Sequence, residues 1–315
     1  MKLRLGTRGS DLAMTQSRWV AAALATSGVE TELVVISTSG DRSAAPTFGA
    51  IGPQGVFVRE IEQALLAGEV DLAVHSFKDL PTESPPGLVV AAVPPRRDPA
   101  DSLLFRKRGQ TPFSEEKRGL TPLSWLAEGA RVGTASARRR AWLTHFRPDL
   151  EVASLRGNVP TRLKRLADGH FDAILLAGAG IERLNESSDV LHATLAELEL
   201  ERLDPERFVP APAQGALALQ CRADNPAVRA ALEALDDGAT RTAVELERRA
   251  LALAEGGCGT AFGAYARPAS AGTYTLSVMA ERNGRIESSE IVGRADTNLE
   301  AAALEGLAQT AGSTA

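Results

Sequence analysis

The sequence predicts an α/β protein of more than one domain, closed by a smaller α+β unit. Three observations predict it. Strand and helix patterns alternate through roughly the first 180 residues. A polar stretch, 106–122, interrupts them, and the alternation then resumes as a second unit of similar size. The last part changes character, with three strand patterns in succession.

Residues 3–7 alternate as a strand. Ser10 can cap a helix running to about residue 26, with Gly28 beyond its end. Residues 32–37 are β-rich, and 56–66 have helical apolar spacing that stops at Gly68. Residues 70–75 and 88–93 are buried-strand patterns. This order predicts helices covering a largely parallel sheet. In the second unit, 131–134, 150–155 and 171–177 read as strands, and 136–146 and 159–167 as helices. Pro205, Pro210 and Pro212 mark a crossing segment. It leads to a strand at 216–221 and helices near 226–234 and 240–254. Strands at 261–266, 273–280 and 285–292 and a helix near 299–308 finish the chain.

The 315 residues are 44% hydrophobic and 24% charged, as in ordinary globular proteins. A net charge of −5 and only 4% aromatics argue against a nucleic-acid-binding surface. No apolar run of membrane-spanning or secretory-signal length appears. Two cysteines, Cys221 and Cys258, fit a reducing compartment better than a disulfide framework, and a cytoplasmic setting is expected. The four histidines are scattered without metal-ligand spacing, so no metal is expected.

Cys258 lies in Gly256-Gly257-Cys258-Gly259, an open loop that presents its sulfur, whereas Cys221 ends an apolar alternation and reads as a core thiol. Residues 131–165 hold nine Lys/Arg against only Asp149 and Glu151. Arg138, Arg139, Arg156 and Arg162 recur at strand-to-helix junctions. There, backbone N–H groups and the helix dipole favour anions, and guanidinium forks hold carboxylates. Arg140, Lys164 and Arg165 read instead as a solvated face. His75-Ser76-Phe77-Lys78-Asp79 carries a buried strand straight into Ser, Lys and Asp. Asp79 can stabilise a developing cation or shuttle a proton, and Lys78 can hold an anion; a surface ion pair beside a turn is the plainer alternative. Thr7-Arg8-Gly9-Ser10 has the form of an anion cradle or of an ordinary helix cap. Residues 49–55 form a Gly-rich segment that reads as a lid or as a plain connection.

The stretches LGTRGSDLAMTQ, GVFVREIEQALL, DLAVHSFKDLPTE, VGTASARRRAWL, SLRGNVPTRLKRL, FDAILLAGAGIERL, AQGALALQCR and LAEGGCG follow one another between residues 5 and 259. In these the chain resembles the porphobilinogen deaminase (hydroxymethylbilane synthase) family. The resemblance implies two lobes like those of periplasmic binding proteins, with the active cleft between them, plus a small C-terminal α+β domain. The domains would be 1–97 with 214–236, 98–213, and 237–315. It implies a transferase of tetrapyrrole (porphyrin, heme) biosynthesis, working as a cytoplasmic monomer. Porphobilinogen units are condensed head to tail with loss of ammonia, and hydrolysis frees hydroxymethylbilane.

The resemblance also implies a dipyrromethane cofactor, attached through a thioether at Cys258. Asp79 would stabilise the cation left as ammonia departs. Ser76, Lys78, Asp79, Thr134, Ser136, Arg138 and Arg139 would hold the cofactor. Arg8, Ser10, Arg156, Arg162 and Arg183 would bind the carboxylates of incoming or growing rings, with Gln16, Phe57 and Gln214 lining the cleft more loosely. The chain departs from the family's usual pattern at Ser39, Ala50, Gln54, Ala135 and Ala213, the last in place of a glycine.

Two other classes fit parts of the sequence. A two-lobed binding protein for a carboxylated ligand would leave the Cys258 loop unexplained. A thiol acyltransferase would need a histidine near Cys258, and none lies near it in sequence.

Overall fold

The computed structural model describes residues 1–37, 58–107, 123, 126–187, 189–255, 261–282 and 284–312. The chain forms two compact units, Met1–Arg97 with Gly215–Thr242, and Asp98–Gln214 with Ala243–Ala315.

In the first unit, β1 (Lys2–Thr7) leads through the Ser10 cap into α1 (Asp11–Thr26). Ser10 Oγ accepts from Ala13 N at 3.4 Å, and Gly28 (φ +75°) ends the helix in a conformation glycine adopts without strain. Then come β2 (Glu30–Val35), α2 (Arg59–Leu66), β3 (Leu72–Ser76), a one-turn 3-10 helix (Phe77–Asp79) and β4 (Leu88–Ala92). Leu3, Leu5, Leu72 and Val74 bury one continuous core with Val20 and Leu24 of α1.

The second unit opens with β5 (Asp101–Arg106), β6 (Arg131–Gly133), α3 (Ala137–Phe146), β7 (Glu151–Ala153), α4 (Val159–Ala167) and β8 (Ala173–Ala177). It continues with α5 (Gly178–Asn185), α6 (Asp189–Ala196) and β9 (Leu198–Arg202). The chain then returns to the first unit as β10 (Leu217–Arg222) and α7 (Pro226–Glu233). Helix α8 (Gly238–Glu255) leads back to the second unit, where β11 (Phe262–Ser270), β12 (Thr273–Arg282), β13 (Arg285–Arg294) and α9 (Leu299–Gly312) form the last segment.

The two five-stranded sheets share one topology. Their orders are β2-β1-β3-β10-β4 and β7-β6-β8-β5-β9. In each, the first three strands run parallel and the fourth is antiparallel to both its neighbours. The sheets are therefore mixed rather than largely parallel. The sequence pattern cannot show this, because a buried strand reads alike in either direction. Strands β5 and β9 and helices α5 and α6 are additions to the sequence reading. β9 alternates Leu with Glu and Arg, a composition of low β-propensity, and pairing along β5 overrides it.

The C-terminal strands form an antiparallel sheet of their own, in the order β11-β12-β13. Its core joins Leu276 and Val278 to Leu246 of α8 and to Ala303 and Leu307 of α9. Gly263 of β11 passes the crossing segment so closely that a Cβ there would meet Val209 O at 2.7 Å.

Ala213, at the end of that crossing segment, holds φ +60° and is fully buried. Its N–H donates to Glu247 Oε2 at 2.6 Å, and the other Glu247 oxygen accepts from Ala266 N at 2.9 Å. A left-handed conformation costs an L-residue about 1–2 kcal/mol, against about 0.5–1 kcal/mol of extra unfolded-state entropy for glycine. Ala213→Gly is therefore expected to stabilise the protein by about 0.5–1 kcal/mol, read as a raised denaturant midpoint. A lowered midpoint would show that the Ala213 methyl contributes more by packing than its backbone costs.

Candidate active site

In the first unit, β1 and β3 run parallel as neighbours, so their C-terminal ends share one sheet edge. Arg8 and Ser10 follow β1 there, and Ser76, Lys78 and Asp79 end β3 and turn away from it. Phe77 N donates to Ala216 O at 3.1 Å, which pins the turn to the start of β10. Gln16 is buried on α1, and its Nε2 donates to Ser76 Oγ at 3.0 Å. Asp79 is exposed, and its carboxylate accepts no hydrogen bond from another described residue. Lys78 and Arg8 are half-buried and partnered.

Behind this edge His75 points to the other face of β3. His75 Nε2 meets Gln220 Oε1 at 3.1 Å, and Gln220 Nε2 donates to Glu62 Oε1 at 3.1 Å. With Gln220 Oε1 as acceptor, His75 Nε2 carries the proton. Burial pulls the imidazole pKa down to about 4 despite the Gln220 bond, and burial raises the Glu62 carboxyl. This hydrogen-bonded chain braces β3 against β10 and α2.

In the second unit, the C-terminal ends of β6, β7 and β8 carry Thr134-Ser136, Arg156 and the start of α5. Thr134 Oγ1 accepts from Ser136 N at 3.2 Å, and Ser136 Oγ caps α3 by accepting from Arg139 N at 3.3 Å. Asn158 caps α4 by accepting from Thr161 N at 3.0 Å. Arg156 is exposed, Arg183 is buried on α5, and both are partnered. Arg162 Nε donates to Gly157 O at 2.7 Å. Burial, then the nearby charge of Arg139, lowers the Arg162 pKa.

Arg138 and Arg139 converge on one carboxylate that the sequence reading missed. Asp101, the first residue of β5, is fully buried. Its Oδ1 accepts from Arg139 Nε (3.1 Å), Arg139 Nη2 (2.8 Å) and Gln214 Nε2 (2.8 Å). Its Oδ2 meets Arg138 Nη2 as an ion pair at 2.8 Å. Burial alone would raise the Asp101 carboxyl, but the two guanidinium charges outweigh it and hold it well below the usual range. Gln214, expected as a loose lining group, is buried and donates to both Asp101 and Pro99 O. An acid opening the apolar run Ser102-Leu103-Leu104-Phe105 was the available signal.

Arg138 Nη1 donates to Val209 O at 2.9 Å, beside Trp142 Nε1 on the same carbonyl. Arg138 Nε is buried and has no hydrogen-bond partner among the described residues. A buried orphan donor on a guanidinium, with a second guanidinium next to it, suits an anionic acceptor such as the carboxylates of dipyrromethane. The sequence-predicted Cys258 and Phe57, and the Gly-rich segment 49–55 with Ala50 and Gln54, lie outside the described residues, as does Ser39. Cys221 is buried and free, and burial raises its thiol pKa. Arg140 and Lys164 are exposed, as expected of a solvated face.

Comparison with known proteins adds a separate line. The family model "Porphobilinogen deaminase, dipyromethane cofactor binding domain" matches residues 3–230. The porphobilinogen deaminase of Brevibacillus brevis is 44% identical over 280 residues, 88% of this chain and 84% of that protein. That of Mycobacterium bovis BCG Pasteur is 47% identical over 264 residues, 84% and 78% of the two chains. Among solved structures, the probable amino-acid ABC transporter extracellular-binding protein ytmK of Bacillus subtilis overlaps 75% of this chain and 90% of its own. Its TM-score is 0.41 and its identity 11%. That superposition is too loose to bear on the fold, which rests on the strand orders above. Among the described residues no helix is long and apolar enough to cross a membrane.

Proposed function

The chain belongs to the porphobilinogen deaminase family, and from that premise we propose how its own residues divide the work. The protein is a transferase that condenses porphobilinogen head to tail with release of ammonia, yielding hydroxymethylbilane, and its cofactor is dipyrromethane. The family match across residues 3–230 carries this reading.

We assign the cofactor's anchorage to Cys258 and its carboxylates to Ser76, Lys78, Thr134, Ser136, Arg138 and Arg139. The orphan Arg138 Nε supports that assignment, since a carboxylate oxygen would satisfy it. The bound cofactor supplies the nucleophilic pyrrole carbon to which substrate units are added. Asp79 acts on the substrate. Its carboxylate, without a hydrogen-bond donor among the described residues, accepts from a pyrrole N–H and stabilises the positive charge that develops as the C–N bond breaks. Arg8, Ser10, Arg156, Arg162 and Arg183 take the acetate and propionate groups of incoming and growing rings. Each added ring brings two carboxylates, so a lengthening product needs many guanidiniums. Gln16 orients Ser76 through the 3.0 Å bond, and Gln214 acts through Asp101, to which it donates, rather than as a lining group.

On this reading the second unit divides at the C-terminal sheet, whose separate core supports counting residues 237–315 as a third domain. The enzyme works as a cytoplasmic monomer without nucleic acid or membrane partners.

The test is the intact mass of the purified protein. The expected result is an excess of two pyrrole units, absent from Cys258→Ser together with all turnover. An active enzyme whose Cys258 is unmodified would exclude the tethered primer.

A further inference from the structure

We propose that Asp101 is the positioning residue of the anion site in the second unit. It fixes the Arg138 and Arg139 guanidiniums so that their remaining N–H groups are presented to cofactor carboxylates. This rests on the deaminase reading above and goes beyond it, since Asp101 touches no solvent and acts only through its neighbours.

Both arginines stand in the first turn of α3, where the helix dipole is positive and disfavours cations. They occupy successive positions, about 100° apart around the axis, so a shared anchor is required to bring both forks to one place. Asp101 is that anchor. It accepts hydrogen bonds from Nε and Nη2 of Arg139 on Oδ1, and its Oδ2, which has no hydrogen-bond partner among the described residues, pairs by charge with Nη2 of Arg138 at 2.8 Å. Main-chain carbonyls take one more arm of each, Leu175 O for Arg139 and Val209 O for Arg138. The Arg138 Nε–H is left over, buried and without a hydrogen-bond partner among the described residues.

Charge points the same way. Among the described residues Asp101 is the one carboxylate in ion-pair contact with either arginine. Two guanidiniums and one carboxylate leave the cluster net positive, with Arg162 close enough to feel Arg139. That net positive charge faces a ligand that carries several carboxylates. The placement of Asp101 follows from topology. It is the first residue of antiparallel β5, opposite Ala177, and so reaches the edge where β8 ends.

The test uses the full-length protein and measures how much dipyrromethane each molecule carries, by intact mass, alongside the thermal midpoints of loaded and unloaded forms. Asp101→Asn keeps an acceptor for Arg139 but turns an N–H toward Arg138. It is compared with Leu191→Ala, a core truncation in α6 that lowers stability without touching the cluster. Asp101→Asn is expected to carry about ten-fold less cofactor or lower still, the scale on which outer partners of a binding group act. Leu191→Ala is expected to load fully. Loading of Asp101→Asn equal to that of the control would overturn the proposal. Should the asparagine variant not fold, Asp101→Glu decides. Retaining the charge but displacing it, the glutamate variant is expected to fold yet acquire cofactor several-fold more slowly from porphobilinogen, and a wild-type rate would overturn the proposal. A wild-type protein with no added mass would instead defeat the deaminase reading itself.

Discussion

Asp79→Asn is expected to fold normally, to acquire its dipyrromethane, and then to turn over on the order of 10²–10³-fold more slowly. The structure explains why binding and chemistry separate here. The turn carrying Asp79 is held by the Phe77 N to Ala216 O bond and by the burial of Phe77, neither of which involves the Asp79 side chain. An amide has nearly the same shape as the carboxylate and can still accept from a pyrrole N–H. It carries no charge, so it cannot offset the positive charge that develops as ammonia leaves. The loss therefore belongs in kcat, with the intact mass unchanged. Normal turnover in this variant would remove Asp79 from the mechanism.

Arg138→Leu is expected to yield an unloaded protein of clearly reduced stability. The substitution removes the ion pair to Asp101 Oδ2 and the donor to Val209 O. Trp142 Nε1 still satisfies Val209 O, and Arg139 still meets Asp101 Oδ1, so the fold around the cluster persists. Removing one partner of a buried pair typically costs about 3–5 kcal/mol. At about 2–4 °C per kcal/mol that is a fall in Tm of roughly 6–20 °C, to which lost ligand stabilisation adds. Calorimetry of the variant against wild type, together with intact mass, checks both parts. Full loading at wild-type stability would show that Arg138 holds neither the cofactor nor the fold.

The positions of many candidate site residues at strand ends were legible because the turns that carry them are short local runs. Ser10, Ser136 and Asn158 are helix caps, and caps are recognised by side-chain type next to an apolar-periodic run. Each marks the end of a strand, so the arginines beside them fall at an edge by arithmetic alone. Gly157 shows how local the constraint is. It holds φ +113°, and a Cβ there would lie 2.9 Å from Thr161. What remained hidden was the polar interior. Asp101, Gln214, Glu247 and the His75–Gln220–Glu62 chain are all buried, and each is bonded to residues distant in sequence. A charged residue in a sequence window reads as surface, because burial of an unpaired charge is prohibitively costly. Only a folded chain reveals the partner that removes the cost.

Alternation, caps and glycine breaks thus determined where most strands and helices run and which turns bear arginine, serine and the Asp79 carboxylate. Strand direction, the doubled sheet topology and the gathering of Arg138, Arg139 and Gln214 around Asp101 were decided by tertiary structure alone. Local periodicity records which face of an element is apolar, whereas the pairing of strands and of opposite charges depends on neighbours that the chain supplies from tens to more than a hundred residues away.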